Sequence, residues 1–125
     1  MGIVSLFNEK KVNLKPIEND RSLLLTAIQF NVQCIDDYLN GGVWPGLIII
    51  PALPGQFETR KKELVRIADE LANENYVKSG YDINWIENSL HFYKAHESLT
   101  QDEQMSVVNL IKKLKDILKN QKALV

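Results

Sequence analysis

His91, His96 and Cys34 are the chain's only histidines and its only cysteine, and they bound the catalysis and metal binding open to it. The i, i+5 spacing of the histidines places them on neither one face of a helix nor one face of a strand, and no HExxH pair is present. An acid–base pair would need Glu97 to serve His96, or Asp82 to serve His91, and a small enzyme using His91 or His96 is the chemistry these residues would support. Asp36 and Asp37 are adjacent on a helical pattern, so they diverge and form no carboxylate pair. Cys34 falls inside that same pattern, where a small buried thiol packs as an apolar group. With no second cysteine there is no intramolecular disulfide and no thiolate zinc site. No Gly-x-Ser-x-Gly elbow, Cys-x-x-Cys or Gly-Lys-Ser/Thr loop occurs. No catalytic residue, metal or cofactor is nominated, and an enzyme is not the expected class.

Recognition chemistry is better supplied. Trp44, Tyr81, Trp85, Phe92 and Tyr93 are aromatic anchors of the kind enriched in interface hot spots. Trp44 lies in a loop bounded by glycine and proline, where no periodicity accounts for its burial. These residues lead to the expectation of a non-catalytic module that binds another protein, of the size of small bacterial or phage immunity, antitoxin or inhibitor proteins. The alternative is a nucleic-acid-binding regulator, with Arg60, Lys61, Lys62 and Arg66 on phosphates, although Glu58, Glu63, Asp69 and Glu70 dilute that charge. In support of it, the segment from Glu63 to Glu103 resembles the recognition helix, wing and following helix of winged-helix regulators. The resemblance departs before Glu63, where a proline-flanked aliphatic run replaces the helices such regulators carry.

The chain that must position these groups has 125 residues, 45% of them hydrophobic and 25% charged, with a net charge of -1. That length suits one globular domain over 1–125, and the charge balance creates no field drawing in nucleic acid or anionic lipid. No apolar run reaches the ~20 residues of a membrane-spanning helix, and the start MGIVSLFNEKK lacks the basic region of a signal peptide. A cytoplasmic protein without membrane contact is expected.

Periodicity supplies the elements. Ile3–Phe7 and Val12–Ile17 pattern as a hairpin. Leu24, Ile28, Val32, Ile35 and Leu39 mark a helix opened by Asn19 or Asp20 and stopped at Asn40-Gly41-Gly42. Leu47–Ile50, aliphatic throughout between prolines, patterns as an interior strand. The loop Pro51 to Gln56 then leads to a helix over Phe57–Asn73 with Leu64, Ile67, Ala68 and Leu71 on one face. Tyr81–Ala95 is ambiguous: Tyr81, Ile83 and Trp85 alternate as in a hairpin, while Ile86, Leu90 and Tyr93 share a helical face after an Asp82 cap. The hairpin is the expectation adopted. Thr100 and Glu103 form a capping box before the stripe Val107, Leu110, Ile111, Leu114, Ile117, Leu118. The expected class is α+β, a small mixed sheet covered by three amphipathic helices in the order β-β-α-β-α-(β-β)-α.

Overall fold

The structure is a computed structural model that describes residues 11–41, 54–96 and 98–123. Ile3–Phe7, the loop around Trp44, the Leu47–Ile50 strand and Pro51–Leu53 lie outside the described residues. The described chain runs β1 (Lys11–Asn13), a 3-10 segment (Lys15–Asp20), α1 (Arg21–Leu39), α2 (Pro54–Ala72), β2 (Val77–Ser79), α3 (Gly80–Lys94) and α4 (Gln101–Ala123). It is a mixed helix and sheet fold that is mostly helical. In place of three helices over a mixed sheet, the described residues form four helices and a two-stranded antiparallel ladder.

Both strands are short. Val12 stands opposite Lys78, with Lys11 opposite Ser79 and Asn13 opposite Val77. The Leu14 amide extends the ladder by donating to the Tyr76 carbonyl at 2.9 Å. Beyond Asn13 the expected strand gives way to the 3-10 segment, with Pro16 in its first turn, where a missing amide donor costs no ladder bond.

Helix α1 follows its apolar stripe, burying Leu24, Ala27, Ile28, Cys34 and Ile35. Its first residue is preceded by Asp20 as expected, but the Asp20 carboxylate makes no cap and instead accepts from Lys113 Nζ of α4 at 3.0 Å. Gly41 ends the helix at φ +96°, a conformation glycine adopts without steric cost. Helix α2 buries Phe57, Leu64, Ile67 and Leu71. It closes in a Schellman turn: the Asn75 amide donates to the Glu70 carbonyl and the Glu74 amide to Leu71, which puts Glu74 at φ +62°.

Tyr81–Ala95 is not a hairpin. Ser79 Oγ accepts from the Asp82 amide at 3.1 Å and caps a helix whose buried positions are Ile83, Ile86, Ser89 and Leu90. The cap is thus Ser79, with Asp82 inside the first turn. Without that hairpin, the stretch from Glu63 to Glu103 has no wing. Helix α4 opens on the expected box, Thr100 Oγ1 accepting from the Glu103 amide at 3.1 Å and Glu103 Oε1 from the Thr100 amide at 2.9 Å. These bonds, the one from the Thr100 backbone first, hold the Glu103 carboxyl below the usual glutamate range.

Helix α1 packs chiefly on α2 and α3, and α3 on α4, while β1 and the 3-10 segment also touch α4. One cluster of buried side chains, from Val12 through Ile17, Ile35, Phe57, Ile86 and Leu90 to Ile117, runs through every described element except β2. Among the described residues no helix is long and apolar enough to cross a membrane.

Candidate interaction surface

The basic residues of α2 are spent unequally. Arg66 Nη2 donates to Glu63 Oε2 at 2.7 Å and to Asp82 Oδ1 at 2.6 Å, and Nη1 reaches Glu70 Oε2 at 3.2 Å. Glu70 in turn accepts from Lys78 Nζ at 2.6 Å. This chain of five charges ties α2 to β2 and α3. The hydrogen bond to Asp82 is the largest reason Arg66 is held charged above its ordinary range, and the bond from Lys78 is the largest reason Glu70 is held below the usual glutamate range. Lys61 pairs with Asp36 on α1. Lys62 is exposed, and Arg60 lies over the Trp85 ring with its guanidinium carbon 5.6 Å from the centroid. The four residues offered for phosphate contact therefore do not form one free basic face, because Lys61 and Arg66 already hold carboxylates.

The aromatic residues fall into two groups at the ends of α3. Near its start, Tyr81 and Trp85, one turn apart, meet edge to face at 5.9 Å. Tyr81 is 43% exposed, Trp85 is half-buried, and the Trp85 Nε1 donor is buried with no acceptor among the described residues. Near its end, Phe92 and Tyr93 pack on Phe30 of α1, with centroids 5.5 and 5.3 Å away. The His96 ring stands edge-on to Phe30 at 4.5 Å. Between the groups, Asn31 Nδ2 donates to Ser89 Oγ at 3.2 Å across the α1–α3 contact.

What joins the two groups is the outer side of α3. Its exposed residues are Tyr81, Asn84, Asn88 and His91, with no aspartate, glutamate, lysine or arginine among them, and the half-buried Glu87 and Lys94 lie on the same helix. Beside it, α1 exposes Ser22, Thr26, Gln29 and Gln33 before the first charged exposed residue, Asp37. On α4, by contrast, Asp102, Glu103, Lys112, Lys113, Lys115, Asp116 and Lys119 are all exposed. Phe30, Asn84 and Asn88 are thus part of a surface that aromatic content alone did not reveal. For Phe30 the signal in the sequence is the absence of charge from Ser22 to Ile35, whereas Asn84 and Asn88 share their helix with Asp82, Glu87 and Lys94.

Of the candidate catalytic groups, Asp82 and His91 are not assembled. Nine residues along a helix is half a turn out of phase, so Asp82 and His91 face opposite ways, and Asp82 is bound to Arg66. His91 is exposed. His96 Nδ1 contacts Ser98 Oγ at 2.5 Å and the Ser98 amide at 3.2 Å, a local turn, while Glu97 lies outside the described residues. Asp36 faces Lys61 and Asp37 accepts from Gln33, so the adjacent aspartates diverge as expected. Cys34 is buried, and desolvation followed by the charge of Asp37 pushes its thiol pKa up, away from nucleophilic reactivity. Among the described residues no group of three His, Cys, Asp or Glu side chains could hold a metal ion. Comparison of the chain with protein-family models, with curated proteins and with solved structures finds no match.

Proposed function

We propose that the chain is a non-catalytic protein-binding module that docks its partner on the outer side of α3. The observation that carries this reading is the exposed stripe Tyr81, Asn84, Asn88, His91, free of acidic and basic residues and set between two aromatic groups, on a protein whose helices α2 and α4 expose charge. Depletion of charge with enrichment of aromatic residues distinguishes the centre of protein interfaces, and tyrosine with asparagine combines contact area with adaptable hydrogen bonds. A single buried thiol suits a reducing compartment, and the cytoplasm is the proposed location.

The test places a charge in the stripe. Asn88→Glu and, as a control on α4, Asn109→Glu both alter exposed residues and should fold as the parent does by circular dichroism. In affinity capture from source-cell extract, a protein retained by the parent and by Asn109→Glu but lost by Asn88→Glu supports the assignment. Identical captured sets for all three chains remove the α3 face from the reading.

A further inference from the structure

The chain has three arginines, and two of them face carboxylates. Arg21 Nη1 lies 3.5 Å from Glu74 Oε1 and 3.4 Å from Tyr76 Oη, and Arg66 holds Glu63, Glu70 and Asp82. Arg60 makes no ion pair or hydrogen bond among the described residues, although it is half-buried and burial pushes its pKa down. Among the described residues it stands over the Trp85 ring, 5.6 Å from the centroid. A guanidinium over an aromatic face keeps its in-plane N–H donors for another group. Beside it, the buried Trp85 Nε1 has no acceptor among the described residues, and Tyr81 is 43% exposed.

We infer that the partner brings a carboxylate, from an acidic protein segment, against Arg60 beside Trp85 and Tyr81; this rests on the α3 docking face proposed above. The pairing supplies the counter-charge that Arg21 and Arg66 have and that Arg60 lacks among the described residues, and a carboxylate matches the guanidinium fork in a bidentate bond. A nucleic-acid backbone fits the same place poorly. It repeats its charge and takes several cations along a track, whereas here the neighbouring Lys61 and Arg66 are held by Asp36, Glu63, Glu70 and Asp82. One cation over the Trp85 ring is suited to one carboxylate.

Two-dimensional NMR on the full chain reads this directly through the Arg60 Nε–H and Trp85 Nε1–H signals, identified by their loss in Arg60→Gln and Trp85→Phe. The probes are a capped glycine peptide carrying one glutamate, the same peptide with glutamine, and a short random DNA duplex. Saturable shifts of both signals with the glutamate peptide are expected. Binding should be about tenfold weaker or worse for the glutamine peptide, and for Arg60→Gln followed at the indole signal, which is the scale of a lost charge-assisted bond. No shift with the glutamate peptide, an equal response to both peptides, or tighter binding of DNA overturns the inference. Capture from extract separates it from the reading beneath: loss with Asn88→Glu but not with Arg60→Gln leaves the face standing and removes the carboxylate, and capture indifferent to Asn88 removes the face itself.

Discussion

Lys78 has no exposed side-chain surface, and its ammonium meets Glu70, whose side chain is about a third exposed. Isolated, that ammonium would be costly to bury, so removing its partner should destabilise more than replacing the lysine by an apolar residue. Breaking a fully buried pair costs ~3–5 kcal/mol, and with Glu70 partly solvated we expect about 2 kcal/mol for Glu70→Gln. Lys78→Met in the Glu70→Gln background should recover most of it. Urea denaturation of the two single variants and the double variant measures the coupling, and additive losses would show that the pair does not interact. The sign with pH follows from Glu70 being held below the usual glutamate range. Its contribution is complete above the unfolded value near pH ~4.3 and is lost as the pH falls through the lower folded value. The parent's denaturation midpoint should therefore fall below about pH 4.5 more steeply than that of Glu70→Gln. Cys34, buried and with its thiol pKa raised, should react with an aromatic disulfide reagent only as fast as the chain opens. Prompt labelling at neutral pH would contradict its burial.

Helix α3 carries both periods in its first turns: Tyr81, Ile83 and Trp85 alternate, and Ile83, Ile86 and Leu90 repeat at three and four. Alternation fails as a guide because Tyr81 and Trp85 lie one turn apart on the helix, meeting each other while Ile83 enters the core. Ser79 settles the competition by receiving the Asp82 amide, and Ser79→Ala should cost about 1 kcal/mol, the usual worth of an N-cap. The end of α2 offers the opposite change. Glu74 holds a left-handed conformation that costs a non-glycine residue about 1 kcal/mol, and its contact with Arg21 at 3.5 Å is too exposed to return much. Glu74→Gly should therefore raise stability by about 0.5–1 kcal/mol in the same denaturation assay. An unchanged or lower midpoint would mean that the ion pair outweighs the backbone strain.

At the scale of the molecule, the first described segment pairs with β2 and packs into the core, while Ile3–Phe7, the other half of the expected hairpin, lies outside the described residues. Leu14 is fully buried, its amide is bonded to Tyr76, and the elements around it touch both α3 and α4. Leu14→Ala should accordingly cost about 2–5 kcal/mol, as a core truncation does, although the residue sits between two short elements. A loss below about 0.5 kcal/mol, the range of surface changes, would contradict that placement. The sequence by itself determined α1, α2 and α4, because each carries an apolar stripe at helical spacing with a stop or a cap coded within a few residues: Asn40-Gly41 after α1, Thr100 with Glu103 before α4. It also determined that the aspartates at 36 and 37 diverge, since that follows from helix geometry alone. The tertiary structure alone decided the β1–β2 pairing and the burial of Lys78. A strand of Val77, Lys78 and Ser79 read locally would turn valine inward and lysine outward, yet Val77 is 50% exposed and Lys78 1%. Glu70, eight residues away on α2, makes the inward lysine tolerable, and no local pattern contains that distance. The uncharged face of α1 and α3 was decided in the same way. Composition shows that charge is absent from Ser22 to Ile35 of α1, but only the packing of the two helices shows which of their uncharged residues reach solvent, and that Arg60 alone of the arginines is left without a counter-charge among the described residues.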